Sequence, residues 1–145
     1  MTEGLPKRQR LYKEKTVQAL FDKGKGFSVY PFRIIALQTK PSEEEVAETC
    51  FLVSVSKKKF HHAIKRNRVK RLVREAWRRN KQELDSLCKA NDTTLNVAFV
   101  YTATVILNYF EIERKIKQIV ARLKQNEFCC KKSFFIILAI SNINF

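Results

Sequence analysis

Twelve of the twenty-nine lysines and arginines in this 145-residue chain fall between Lys57 and Lys81, in the run KKKFHHAIKRNRVKRLVREAWRRNK. Only Glu75 opposes them, so the run holds eleven of the fifteen net positive charges. Guanidinium groups outnumber ammonium groups within its helical part, and a planar guanidinium can grip a phosphate through two parallel N–H donors. A soluble helix normally mixes signs so that Glu and Lys pair one turn apart. Here neighbouring cations repel, an arrangement that a polyanion would relieve. Nucleic acid suits that role better than a membrane surface, which would want the opposite, apolar face left exposed.

That apolar face belongs to a core. From Asn67, taken as the N-cap, Val69, Leu72, Val73, Ala76, Trp77, Leu84, Leu87 and Cys88 recur at helical spacing. Lys70, Arg71, Arg74, Arg78 and Lys81 stack three and four apart along a neighbouring face. No catalytic constellation accompanies them. A protein nuclease needs clustered carboxylates for metal ions, or a His–acid pair for proton transfer. The acids here are scattered or gathered in Glu43-Glu44-Glu45, within a loop that begins at Pro41-Ser42, and His61 and His62 have no acidic or thiol partner at useful spacing. Cys50, Cys88, Cys129 and Cys130 contain no C-x-x-C pair, so reduced thiols in a cytoplasmic protein are expected. The first residues lack the apolar stretch of an export signal.

The elements that must carry the cationic helix are legible in order. Met1 to Arg10 reads as an extended basic arm, and Lys13 to Lys23 as a helix closed by Gly24 at C′, with Val17, Leu20 and Phe21 on one side. Phe27 to Thr39 reads as one strand, with Phe32, Ile34 and Ala36 opposite Arg33, Ile35 and Leu37. Thr49 to Ser56 is a second strand, antiparallel to it. After the cationic helix and a polar turn over Ala90 to Thr94, Leu95 to Tyr101 is a third strand, parallel to the second. Asn108 with Glu111 three residues on marks the cap of a last helix, Leu107 can staple Ile112, and Ile112, Ile116, Ile119, Val120 and Leu123 form its buried stripe. The order is α-β-β-α-β-α, an α+β two-layer sandwich with a small mixed sheet and the cationic helix in a β-α-β crossover. Residues 1–126 form one nucleic-acid-binding domain on this reading. Residues 127–145 are an apolar extension, whose run Phe134 to Ile140 is far short of the ~20 residues that span a bilayer.

Ser56-Lys57-Lys58, a short link, Ala63, then Arg66-Asn67-Arg68-x-Lys70-Arg71 and Arg74-Glu75 resembles the signature of the bacterial ribonuclease P protein component. The resemblance extends over roughly Leu11 to Leu123. It implies a ribosomal-protein-S5-domain-2-like fold with a left-handed crossover, where the general rule would give a right-handed one. It also implies that an RNA subunit performs the chemistry, with magnesium ions held mainly by that RNA and none bound directly by the protein. Lys57, Lys58, Lys59, Arg66, Asn67, Arg68, Lys70, Arg71, Arg74 and Arg78 would then contact the ribonuclease P RNA. Phe21, Val17, Arg33 and Ile35 would line a cleft for the single-stranded 5′ leader of precursor tRNA. Val17 stands where the family often has Phe, and Phe21 could equally be a core residue. Neither DNA nor a membrane is an implied partner. The alternative is a non-enzymatic RNA-binding protein, ribosomal or chaperone in kind, using the same phosphate contacts.

Overall fold

The computed structural model describes residues 7–41, 43 and 46–125. A short 3-10 turn, Lys7–Gln9, leads into helix α1 (Glu14–Lys23), strands β1 (Lys25–Val29), β2 (Phe32–Thr39) and β3 (Thr49–Val55), helices α2 (Ala63–Asn80) and α3 (Gln82–Asn91), strand β4 (Thr94–Tyr101) and helix α4 (Tyr109–Gln125). The four strands pair in the order β1-β2-β4-β3. β3 runs parallel to β4 and the other pairs are antiparallel. Alternation decides the faces. Phe32, Ile34 and Ala36 of β2, Phe51, Val53 and Val55 of β3, and Leu95, Val97, Phe99 and Tyr101 of β4 all point into one core. α2, α3 and α4 close it with Val69, Val73, Ala76, Trp77, Leu84, Cys88 and the α4 stripe. Trp77 lies at its centre, stacked on Phe51 at 5.4 Å and edge-on to Phe99 at 5.2 Å between ring centroids.

The α+β class and the course of the chain stand, with two elements subdivided. The strand expected over Phe27 to Thr39 is a hairpin, because Tyr30 and Pro31 turn the chain and Pro31 cannot donate to a ladder. Its second arm keeps the expected alternation of Phe32, Ile34 and Ala36 with Arg33, Ile35 and Leu37. The apolar stripe from Val69 to Cys88 spans two helices that meet at Lys81, whose backbone stays helical (φ −83°, ψ −11°) while its side chain turns inward. β3 is antiparallel in direction to β2, as expected, but the two are not neighbours; β4 lies between them. The polar turn shrinks to Asp92 and Thr93, since α3 continues through Asn91 and Asp92 caps it at φ 50°.

Three local expectations change. Asn67 is not an N-cap: α2 begins a turn earlier, with extended His62 at the cap position. Ala63 to Arg66 are acceptable helix formers, and the Arg66 guanidinium donates to the carbonyls of Phe60 and His61 at 2.8 and 3.0 Å, holding the entry turn in place. Gly24 follows α1 in an extended conformation (φ −69°, ψ 151°), so left-handed freedom is not its use. A Cβ there would lie 2.3 Å from the Leu20 carbonyl oxygen and 2.6 Å from Ile35 Cγ2, so glycine allows α1 and β2 to approach. The basic segment is not an extended arm where it is described. Arg10 bridges Phe51 on the edge strand, the Leu11 N–H donates to the Phe51 carbonyl at 3.0 Å, and Gln9 is buried.

The cap of α4 is as expected, with the Glu111 N–H donating to Asn108 Oδ1 at 2.9 Å, and its five stripe residues are all buried. α1 forms a thinner layer on the other face of the sheet, where Leu11, Leu20 and Ala98 make a second cluster with Val17, Ile35, Leu37, Cys50 and Leu52. Residues 127–145 and the start of the arm, residues 1–6, lie outside the described residues.

Candidate nucleic-acid interface

The inward stripe of α2 decides where its charges go. With Val69, Val73, Ala76 and Trp77 fixed in the core, Arg68, Arg71 and Arg74 are left exposed and Lys70 half-buried along the helix. Lys57, Lys58 and Lys59 form the exposed turn that joins β3 to the helix. The nine cations and one amide predicted for RNA contact therefore do lie on one continuous stretch of backbone, but they are not equivalent. Arg66 is occupied by the entry turn, and Lys59 donates to the Thr102 carbonyl. Arg78 makes a two-point contact with Glu75, Nε to Oε2 at 3.1 Å and Nη2 to Oε1 at 2.6 Å, and Arg79 joins the same carboxylate at 3.2 Å. The Arg78 hydrogen bond, above all, holds the Glu75 carboxyl below the usual carboxylate range and keeps it ionised at neutral pH.

Among the described residues, Lys57, Lys58, Arg68, Lys70, Arg71 and Arg74 make no ion pair. Partial burial, and then the nearby positive charge of Arg10, lower the Arg74 guanidinium from its ordinary value. An arginine remains charged through such a shift.

Lys81, expected to end the cationic row, is buried and leaves it. Its ammonium donates to Gln9 Oε1 and Asp85 Oδ2, each at 2.7 Å. Asp85 also accepts from the Thr49 N–H and hydroxyl, while Gln9 donates to Glu48 at 2.6 Å. This network fastens the basic segment to the α2–α3 junction and the start of β3. The nearby carboxylate was visible in sequence at i, i+4 from Lys81, but Gln9 stands 72 residues away and gave no signal.

The residues predicted for the leader lie on the other side of the sheet. Val17 and Ile35 meet in the cluster under α1, and Arg33 is exposed two residues along the same face of β2. Phe21 is 44% exposed, so the core alternative for it is excluded. Val17 is partly buried, more floor than platform. The two sets of residues thus occupy opposite faces, α2 on one and α1 on the other.

His61 and His62 are exposed, Cys50 is half-buried and Cys88 is buried. Among the described residues no three His, Cys, Asp or Glu side chains are placed together to hold a metal ion, and no helix is long and apolar enough to cross a membrane.

The family model described as Ribonuclease P matches residues 5–124 of the chain. A ribonuclease P protein component of Porphyromonas gingivalis is 39% identical over 125 residues, covering 86% of this chain and 90% of the relative. One from Chlorobium phaeobacteroides is 31% identical, covering 84% of this chain and 86% of that protein. Among solved structures, a Staphylococcus aureus RNase P protein mutant with defective mRNA degradation activity superposes with a TM-score of 0.62 at 19% identity, over 81% of this chain and 90% of the other. The Thermotoga maritima RNase P protein in complex with 1-(4-fluorophenyl)-2-thiourea gives 0.60 at 18% identity, over 78% and 98%. At such identities these structures speak for the fold.

Proposed function

The chain belongs to the ribonuclease P protein family, and from that premise we propose that it is the accessory subunit of a ribonucleoprotein endoribonuclease whose RNA subunit carries out the cleavage. It binds that RNA and the 5′ leader of precursor tRNA, and so promotes removal of the leader and maturation of the tRNA 5′ end. The observation that carries the division of labour is geometric. Six cations of α2 and its link, free of ionic partners among the described residues, lie across the sheet from Val17, Phe21, Arg33 and Ile35. Lys57, Lys58, Arg68, Lys70, Arg71 and Arg74 take phosphates of the large RNA. Lys59, Arg66, Asn67 and Arg78 hold or extend that surface. Phe21 offers an aromatic face to a leader base, and Arg33 a cation to its backbone.

The described residues do not fit a dedicated magnesium site, which would need one or two carboxylates facing a ligand phosphate in near-octahedral geometry. On this reading magnesium is held mainly by the RNA, and the protein's part is to neutralise the phosphates that crowd around it. The location that follows is the cytoplasm, with neither a membrane nor DNA as partner. A ribosomal or RNA-chaperone protein would use the same phosphate contacts, but family membership does not favour it.

Phe21→Ala tests the leader assignment. The ring is exposed, so the melting temperature is expected to stay close to that of the wild type. Loss of one stacked base, about 1–3 kcal/mol, is expected to weaken precursor tRNA relative to mature tRNA in the assembled complex. Equal weakening of both tRNAs in a normally melting protein would remove Phe21 from the cleft.

A further inference from the structure

A second groove runs along the flank of α1 opposite Val17 and Phe21. Thr16 and Ala19 line it from the helix, Leu37, Cys50 and Asn96 from the sheet, and Tyr12 from the segment that leads into α1. It encloses about 640 Å³, within the range of sites that hold small ligands. Its rim carries Arg8, Arg10, Lys13 and Lys15. The acid among its lining residues, Glu48, is buried and already engaged by Arg8 at 3.0 Å and Gln9 at 2.6 Å.

Two further features mark it as more than a seam between elements. Tyr12 leaves 62% of its surface to solvent, and the Lys7 ammonium lies 5.9 Å from its ring centroid. Thr94, on the inner wall, is buried with a hydroxyl that has no hydrogen-bond partner among the described residues. The backbone of the wall is also anchored. Gln9 is held by Lys81 and Glu48, and Leu11 is hydrogen-bonded to Phe51, so Arg8 and Arg10 project from a segment that is tied down on both sides.

We propose that this groove binds a single-stranded RNA segment, with a base on Tyr12 and the adjoining phosphates on Arg10, Lys13 and Lys15, as a site separate from the Phe21 flank. An exposed aromatic beside a cationic rim and an apolar floor is the arrangement that takes unpaired nucleotides without regard to sequence. A neutral ligand would leave the rim cations unused, and an anion without a flat ring to stack would leave the aromatic unused. The inference rests on the reading above that the chain's partners are RNA. The segment can come from the precursor leader beyond Phe21 or from an unpaired stretch of the large RNA, since the chemistry is the same.

The test uses the full chain and a fluorescent oligouridylate, followed by anisotropy at low salt. Tyr12→Ala combined with Lys15→Ala is expected to weaken binding about tenfold, from one lost stack and one lost phosphate contact. Tyr12→Phe, which keeps the ring, is expected to bind like the wild type. Lys117→Ala, which removes an exposed charge on α4, is expected to change affinity by no more than about twofold. Melting temperatures should be unchanged throughout, because all three side chains are exposed.

A double variant that binds within about twofold of wild type would overturn the groove. So would Lys117→Ala weakening binding as much as the double variant, which would mean diffuse attraction. In the assembled complex, loss of affinity for the large RNA assigns the strand to that RNA. Loss confined to precursors with long leaders assigns it to the leader. No loss in either overturns the proposal. If the wild type fails to support leader removal, the family-based reading fails instead, and the oligouridylate series still decides the groove.

Discussion

Replacing Arg68, Arg71 and Arg74 together by alanine is expected to weaken binding to the ribonuclease P RNA by on the order of a hundredfold at moderate salt. Each residue is exposed and free of ion pairs among the described residues, so each can give its guanidinium to phosphate alone. A hydrogen bond to a charged group contributes about 1.5–3 kcal/mol, and part of that is screened on an open surface. Three such losses account for the expected factor. The plot of log affinity against log salt should flatten by about two to three units, because fewer counterions are released. Stability should not fall. Alanine is at least as good a helix former as arginine, and three repelling charges are gone. Unchanged affinity and slope with a normal melting curve would show that α2 is a solvated face rather than the RNA surface.

Trp77→Ala is expected to act in the opposite way. Its ring is fully buried between Phe51 and Phe99, at the junction of α2, β3 and β4. Truncating it leaves a cavity that costs about 3–5 kcal/mol, a large fraction of the ~5–15 kcal/mol that holds a domain folded. The melting temperature should drop by roughly 10–20 °C. Affinities for the large RNA and for precursor tRNA should then fall together above the new transition and recover together below it. A variant that melts normally would mean the core can refill the space. Selective loss of one RNA would give Trp77 a direct role that its burial does not allow.

These two variants separate what the sequence could and could not tell. The α2 stripe was legible because Val69, Val73, Ala76 and Trp77 follow the helical period, and the period fixes which residues are left outside. The strand alternation in β2 and the Asn108 cap were legible for the same reason: each is written in residues only a few positions apart. What failed turned on particular side-chain contacts, near or far along the chain, that no period announces. Asn67 has the chemistry of an N-cap, but the Arg66 side chain, folding back on Phe60 and His61, lets the helix start sooner. Lys81 looked like one more surface cation until Gln9 arrived beside it from the other end of the chain. Glu75 read as a lone interruption, whereas it draws Arg78 out of the cationic row and pairs with Arg79 beside it.

The same limit explains the sheet and the groove. Nothing local in β3 announces that β4 will be inserted between it and β2, because that order depends on the crossover through α2 and α3. Arg8 and Arg10 were visible as charge, but their placement on a groove wall depends on Gln9 reaching Glu48 and Lys81 and on Leu11 bonding Phe51 at the β3 edge. Phe21 could be core or surface from its spacing alone. Only the placement of α1, brought close to β2 at Gly24, turns Leu20 inward and leaves Phe21 in solvent.

The most direct test of the account is cleavage of a precursor tRNA at limiting magnesium, with the ribonuclease P RNA alone, the purified protein alone, and the two together. The account predicts no cleavage by the protein, slow cleavage by the RNA, and faster removal of the leader at the same bond when both are present. Leader cleavage by the RNA-free protein, tracking the protein peak through purification, would contradict it.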